Sequence, residues 1–249
     1  MPRRSEPARV PPATVHLWWA DLGAEDGDAA ASLLDAAERL LDAAERERHA
    51  RFQHERDRAS FAGRRALLRR VLAAYTGLAP EAVPISVTGE GKPFSEALEG
   101  LDCSCSSSRS LAVVAIGAYE RLGVDVEFRP DGVWEPFPVR RYLAEAEIAA
   151  LRGLAEEDAI RRAARAWVLK EAIAKAVGTG LSHSPSQIEL AGDLSRPDVR
   201  MLGPWEQYAS DGWHAALVED DPTRVAAVAV DGPWEETVSR VWGRDPLRA

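Results

Sequence analysis

The sequence predicts an α+β protein made of two pseudo-symmetric α/β halves with a cleft at their junction. Hydrophobic residues at helical spacing alternate with short β-like runs along most of the chain. The order of these elements before residue 121 is repeated in outline after it. The length of 249 residues, 46% of them hydrophobic and 29% charged, is sufficient for two small units in contact. We therefore expect a loose tail at 1–14, an N-terminal half at 15–120 and a C-terminal half at 121–249.

The first half is expected to open with a strand and two helices. Apolar residues recur at helical spacing in both helices, and Gly77 ends the second of them. The elements predicted for this half are a strand at 15–19, helices at 29–50 and 57–75, a β-like run at 83–87, a turn at 89–93 and a strand at 111–116.

The second half is expected to repeat the mixture of helices and strands. Gly178 and Gly180 follow its longer helix and are typical of a helix end. The elements predicted here are a strand at 123–127, helices at 138–154 and 159–177, and strands near 187–190, 213–218 and 225–230.

Composition excludes several classes of protein. The net charge of −9 argues against general binding to nucleic acid, and no apolar run is long enough to span a membrane. Cys103 and Cys105 are too far apart along one extended strand to form a disulfide, and with five scattered histidines they do not make a zinc site. These features predict a cytoplasmic protein, and we expect a monomer. Arginines concentrated at 46–70 form either a local basic face or a solvated helix face balanced by acidic neighbours.

Two acidic side chains share one face of a predicted strand. Asp125 and Glu127 alternate with valines at 123–127. Because strand side chains alternate, both carboxylates point to the same side. Neighbouring like charges repel, and a hard divalent cation such as Mg²⁺ would remove that repulsion. The alternative is a solvent-facing strand that is acidic without binding a metal.

The helix at 166–177 is apolar nearly all round. Its charged residues are Lys170, Glu171 and Lys175. A helix of this kind is mostly buried, so its carboxylate must be paired or must bind a metal. Glu171 and Lys175 are one helical turn apart and share a face. They form either an internal ion pair or, together with the acidic strand, a site for Mg²⁺ and a diphosphate.

The combined motifs resemble a known family. Gly-Val-Asp-Val-Glu at 123–127 is followed by Trp-Val-Leu-Lys-Glu-Ala-Ile-Ala-Lys-Ala-Val-Gly-Thr-Gly-Leu at 167–181. Further matches are Arg51-Phe52, Asp57-Arg58, the helix at 63–69 and Gly-Lys-Pro-Phe at 91–94. Together they resemble 4′-phosphopantetheinyl transferases over residues 15–230. The spacing is similar to that of the large form that activates peptide and polyketide synthases, rather than the small trimeric form.

The resemblance implies a fold, an activity and a set of site residues. Coenzyme A and Mg²⁺ would bind at the junction of the halves. The 4′-phosphopantetheine group would move to a serine of an acyl or peptidyl carrier protein, and 3′,5′-ADP would leave. Asp125, Glu127 and Glu171 would hold Mg²⁺, and Lys175 would neutralise phosphate charge. Glu171 or a metal-associated water would take the proton of the serine.

The nucleotide end is where the sequence departs from the family. The resemblance places Arg69, Lys92 and Ser104 near it, but Cys105 stands where the family has a histidine that contacts a coenzyme A phosphate. A neutral thiol cannot donate a charged hydrogen bond, and a thiolate would repel phosphate. Arg109 or a serine hydroxyl is a candidate replacement. The departure supports an alternative hypothesis, an impaired relative that binds carrier protein or coenzyme A without transfer. The carboxylates by themselves would also fit a magnesium phosphohydrolase.

Overall fold

The computed structural model describes residues 7–23, 33, 35, 37–129, 131–132, 134, 138–180, 182–210 and 212–243. Its strands are β1 Thr14–Asp21, β2 Ser86–Val87, β3 Pro93–Phe94, β4 Asp102–Ser108, β5 Leu111–Gly117, β6 Leu122–Phe128, β7 Ile188–Ala191, β8 Asp198–Met201, β9 His214–Asp220, β10 Arg224–Val230 and β11 Glu236–Val241. Its helices are α1 Ala43–Ala50, α2 Glu55–Thr76, α3 Val139–Tyr142, α4 Glu145–Ala149 and α5 Glu156–Val177. Turns of 3₁₀ helix are found at Pro80–Ala82, Pro185–Gln187 and Gly203–Tyr208.

Two larger sheets carry the fold. The first has the strand order β11-β1-β5-β4, in which β11 runs parallel to β1 and the other pairs are antiparallel. The second has the order β6-β10-β9 and is antiparallel throughout. Two small ribbons, β2-β3 and β7-β8, lie beside them. The mixture of helices and sheets confirms the predicted α+β class.

The sheets and the long helices form layers. Because side chains alternate along β1, Trp18 packs in a core with helix α2, while Leu17 packs in a second core that the two sheets share. On the far side of the second sheet, Ala227 packs with Ile173 of helix α5. The order of layers in the described part of the chain is therefore α2, first sheet, second sheet, α5.

Two predicted helices are interrupted in the structure. The helix expected at 29–50 is broken before α1, because Asp42 caps α1 by accepting from the Glu45 backbone while the Glu45 carboxylate accepts from the Asp42 backbone. Residues 29–32, 34 and 36 lie outside the described residues. The helix expected at 138–154 is divided into α3 and α4, and the Glu147 carboxylate accepts from the backbone of Ala144 at the break.

Several elements were not predicted or join an unexpected partner. Strands β4, β8 and β11 were not expected, and β11 pairs with β1 of the first half. The division at residue 121 therefore stays a prediction. In the predicted tail, the Ala8 backbone donates to Ala74 at 2.8 Å, while residues 1–6 lie outside the described ranges. None of the helices described is long and apolar enough to cross a membrane.

Candidate active site

Gly123 allows helix α5 to lie directly against strand β6. A Cβ atom at this position would be 1.9 Å from the Ala172 carbonyl oxygen and 2.5 Å from the Ala176 backbone nitrogen. No side chain fits that space, so the backbones of strand and helix touch. Since Glu171 and Lys175 precede these alanines on the helix, the close approach brings them to the strand face that carries Asp125.

Asp125 is the centre of a three-group contact. Its Oδ1 atom accepts from the Lys175 ammonium at 2.6 Å and from the Ser106 hydroxyl at 2.7 Å. Lys175 also donates to the Ser106 hydroxyl oxygen at 2.8 Å. Asp125 is only 5% exposed, so its charge is stabilised mainly by these two donors.

Glu171 is a partly buried carboxyl group beside other carboxylates. Its pKa is raised to about 7, first by burial and then by the charges of Asp125 and Glu127, against the opposing effect of Lys175. Its Oε1 atom is buried and has no hydrogen-bond partner among the described residues. A buried, unpartnered carboxylate oxygen beside other carboxylates is where a cation would bind.

Glu127 completes the acidic group at the open end of the strand. Its Oε2 atom accepts from Ser108 and from Arg129, each at 3.0 Å. In the part of the chain that the structure describes, no three acidic, histidine or cysteine side chains are arranged as metal ligands. Asp125 and Glu127 are instead held by donors of the protein itself. The donor set nevertheless fits Mg²⁺, because it is all oxygen and includes the free Glu171 atom.

The polar side chains that hold this face come from strand β4, which sequence reasoning missed. Asp102 accepts from the Leu122 backbone at 2.8 Å, and Ser104 accepts from the Val124 backbone at 3.1 Å. Ser106 and Ser108 continue the row along β6. Alternate side chains of β4, at the edge of the first sheet, thus bind to β6, at the edge of the second sheet. The period-two spacing of Asp102, Ser104, Ser106 and Ser108 was a signal for this strand.

Lys92 lies at the same junction, nearer the end of helix α5. Its ammonium donates to Asp102 at 2.6 Å and to the Ala176 carbonyl at 3.2 Å. A cavity of about 470 Å³ opens there, and its lining includes Lys92, Asp102, Arg121, Thr179 and Tyr208. Lys92 therefore lies beside this cavity, and its role at the nucleotide end of coenzyme A stays a prediction.

Arg69 and Cys105 have different surroundings from those of the acidic group. Arg69 is 3% exposed, and its guanidinium donates to the Val83 carbonyl and pairs with Asp42 and Glu45. These contacts hold α1 to α2 and give no support for a role at a nucleotide. Cys105 lies on the face of β4 opposite Ser104 and packs against the core of helix α2.

Arg64 is the cation beside Cys105. It donates to the hydroxyl of Ser107, on the same face of β4, at 2.8 Å. Burial lowers the pKa of Arg64, Cys105 opposes that effect, and Arg65 and Arg48 lower it further. Within the described ranges Arg64 forms no ion pair with a carboxylate. Arg109, the replacement considered from the sequence, is exposed at the turn between β4 and β5 with φ of 53°.

An α+β fold with carboxylates and a lysine gathered where two sheets meet defines the kind of site that phosphoryl-transfer enzymes use. A model of the 4′-phosphopantetheinyl transferase superfamily matches residues 121–229. The 4′-phosphopantetheinyl transferase HetI of Nostoc sp. is 31% identical over 224 residues, covering 88% of each chain. This chain belongs to the 4′-phosphopantetheinyl transferase superfamily, which confirms the resemblance.

Other similar proteins match a smaller share of this chain. An L-aminoadipate-semialdehyde dehydrogenase-phosphopantetheinyl transferase of Xenopus laevis is 29% identical over 57% of this chain and 51% of its own. The structure of a holo-(acyl-carrier-protein) synthase of Bacillus anthracis in complex with CoA (3′,5′-ADP) is 23% identical, with a TM-score of 0.34 over 44% of this chain and 93% of its own. The holo-[acyl-carrier-protein] synthase of Thermotoga maritima gives 26% identity and a TM-score of 0.34, over 45% and 63%.

Proposed function

We propose that this protein transfers the 4′-phosphopantetheine group from coenzyme A to a serine of an acyl or peptidyl carrier protein and releases 3′,5′-ADP. The observation that carries the proposal is the convergence of Asp125, Glu171 and Lys175 at the junction of the two sheets. The family of the chain supports the reaction type. The proposed architecture is a pseudo-symmetric pair of halves, each with a 22-residue helix packed on a sheet, in a monomer of the cytoplasm.

Asp125, Glu127 and Glu171 are the proposed ligands of Mg²⁺. The uncompensated Glu171 oxygen and the raised pKa of this carboxyl support the assignment. When bound, Mg²⁺ would draw charge from the diphosphate as the bond to 3′,5′-ADP breaks. Carboxylates alone would repel that diphosphate, so the cation and Lys175 are both needed to bind it.

The transfer itself requires a base and a positioned phosphate. The hydroxyl oxygen of the carrier serine forms a bond to the phosphorus next to pantetheine, and the bond from that phosphorus to the 3′,5′-ADP oxygen breaks. The Glu171 carboxylate, whose Oε1 atom has no partner among the described residues, takes the serine proton. The Lys175 ammonium, 28% exposed on its side chain, neutralises phosphate charge from the open side of the cleft.

The nucleotide end is proposed to lie along strand β4. Lys92 is a cation at the wall of the cavity, and Ser104 lies on β4 between Lys92 and the acidic group. On the other face, Arg64 is the proposed replacement for the histidine that Cys105 displaces, because its guanidinium lies beside Cys105 and has no described carboxylate partner. Carrier protein is proposed to dock near residues 134–141, of which 135–137 lie outside the described residues.

The direct test is incubation of the protein with Mg²⁺, coenzyme A and apo carrier proteins, followed by mass measurement of the carrier. The expected result is a mass gain of one phosphopantetheine group that disappears when Mg²⁺ is chelated. A folded protein that modifies no carrier of either class contradicts the proposal.

Cys105 favours a second candidate, a relative that binds without transferring. That protein would retain coenzyme A or carrier protein and form no product, and Cys105→His would restore turnover. Release of nucleotide from coenzyme A without a carrier would instead indicate a phosphohydrolase. Mass measurement of the carrier together with analysis of the nucleotide therefore distinguishes all three functions.

A further inference from the structure

Asp125 Oδ1 is fully occupied by the protein's own donors. The Lys175 ammonium binds it at 2.6 Å and the Ser106 hydroxyl at 2.7 Å. A carboxylate oxygen offers about two lone pairs. A cation that binds this oxygen must therefore replace one of the two donors.

Lys175 is the donor that can leave. Ser106 is 6% exposed and its backbone is fixed in the β4–β5 ladder, whereas the Lys175 side chain is 28% exposed and flexible. Leaving Asp125 also removes Lys175 from its anionic partner, which costs free energy unless another anion receives the ammonium. The Lys175 side chain can move into the open cleft, and a phosphate bound there would be the anion that receives its ammonium group.

We propose that Lys175 occupies the cation position on Asp125 in the unliganded protein, that Ser106 holds it there, and that the cation takes its place. Ser106 is then a positioning residue, because it acts through Lys175 and Asp125. The inference rests on the proposed function, which supplies the cation and the diphosphate as ligands.

The exchange makes the two ligands interdependent. A cation alone has to displace Lys175 into water, whereas a diphosphate gives the released ammonium a new partner. By linkage, each ligand strengthens the binding of the other by the same factor. Lys175 thereby balances the charge of Asp125 until both the cation and the diphosphate are bound.

The test is the affinity of the free protein for Mn²⁺ alone, measured by calorimetry and by electron paramagnetic resonance without coenzyme A or carrier. Lys175→Met is expected to bind Mn²⁺ about tenfold more tightly than the unaltered protein. Ser106→Ala should bind more tightly by a smaller factor, and Ser106→Thr, which keeps the hydroxyl, should not. Lys92→Met is the matched control, since it removes an equal charge that is bound to Asp102, and it should change the affinity by less than about twofold.

Equal affinities of Lys175→Met and the unaltered protein overturn the proposal, as does an equal gain in Lys92→Met, which would indicate charge alone. Lys175→Gln is the second variant if Lys175→Met does not fold by circular dichroism. Absence of Mn²⁺ binding in every variant, with or without coenzyme A, overturns both the exchange and the metal assignment. A failure of the transfer reaction itself is detected separately, by the mass of the carrier.

Discussion

Helix α5 carries two lysines that form similar ion pairs in different surroundings. Lys170 donates to Glu147 at 2.5 Å, and Lys175 donates to Asp125 at 2.6 Å. The Lys170 side chain is fully buried, and the remaining acceptor capacity of Glu147 is taken by the backbones of Ala144 and Leu190. Around Lys175, by contrast, the side chain is 28% exposed, and Glu171 Oε1 has no partner within the part of the chain that the structure describes.

The difference separates a structural pair from one that we propose to be functional. Lys170 and both carboxylate oxygens of Glu147 have described hydrogen-bond partners, so this pair attaches α3, α4 and β7 to the helix. The group around Lys175 has more carboxylates than cations among the described residues, and a bound cation would balance that charge. An ion-pair distance alone does not distinguish the two; the unsatisfied atoms do.

The largest expected effect is on the transfer reaction and comes from the group around Lys175 and Asp125. Glu171→Gln removes both the proposed base and a metal ligand, and we expect the rate of carrier modification to fall by about 10²–10⁴-fold. Glu157→Gln, exposed in the first turn of the same helix, is the matched control and should retain full activity. Unchanged turnover in Glu171→Gln would remove this residue from the mechanism.

Exchange of either lysine should separate stability from activity. Lys170→Met leaves the Glu147 charge buried without its partner, so the free energy of unfolding should fall by about 3–5 kcal/mol. Lys175→Met should cost less than Lys170→Met, because Ser106 still donates to Asp125 and the Lys175 side chain is partly exposed, yet reduce transfer strongly. Denaturant unfolding and carrier modification, measured on both variants, test the contrast. The reverse order of stabilities would show that the two pairs have been assigned to the wrong roles.

The close contact at Gly123 should be needed to bring Glu171 and Lys175 to Asp125. Gly123→Ala places a Cβ against the Ala172 carbonyl, so helix α5 must move away at a cost of about 1–3 kcal/mol or more. Mn²⁺ affinity should fall as Glu171 separates from Asp125. Gly89→Ala is the control, because a Cβ there meets nothing within 4 Å. Thermal unfolding and Mn²⁺ titration of both variants measure the effect, and equal behaviour would contradict it.

The raised pKa of Glu171 predicts a pH-dependent stability. Its pKa rises from the ordinary 4.5 to about 7, so between these values the native state binds more protons than the unfolded chain. The free energy of unfolding should therefore fall as pH rises through this window, by up to about 3 kcal/mol, and then level off. Urea unfolding without divalent cations at several pH values tests this. Glu171→Gln should lack the slope, and parallel curves for the two proteins would contradict the assignment.

The smallest expected effect extends the contrast to two arginines. Arg65 is paired with Glu45, whereas Arg64 beside it has no described carboxylate partner. Arg64→Gln should raise the KM for coenzyme A about tenfold with little change in kcat, as expected for loss of one charged contact. Arg51→Gln, which alters an exposed pair with Glu47, is the control. An unchanged KM would leave the replacement of the histidine to Arg109 or a serine.

Local patterns in the sequence predicted the parts of the site, and the combined motifs predicted that these parts would converge. Strand alternation placed Asp125 and Glu127 on one face, and helical spacing placed Glu171 and Lys175 on one face. The family expectation is confirmed, while the roles of these residues stay predictions. Ser106 was missed because its importance depends on how β4 meets β6, a contact between segments that pair only in the folded chain.

Two other differences show where the sequence did and did not carry the information. The break before α1 was detectable, since Asp42 and Glu45 have the spacing of a capping box. The contacts of Arg69 were not detectable, because its partners lie on helix α1 and on the segment that follows α2. No local pattern in the sequence specifies how these segments pack. Long-range pairing also placed β11 in the first sheet.

That last strand has a consequence for how the chain reaches its native state. Thr14 faces Glu236 and Trp19 faces Val241 across the ladder, so two segments far apart in the sequence complete one sheet. During synthesis, the outer edge of β1 stays unpaired until β11 has left the ribosome. An apolar edge left open for that time invites pairing with other molecules. Removal of residues 236–243 should therefore produce aggregation rather than a shortened enzyme.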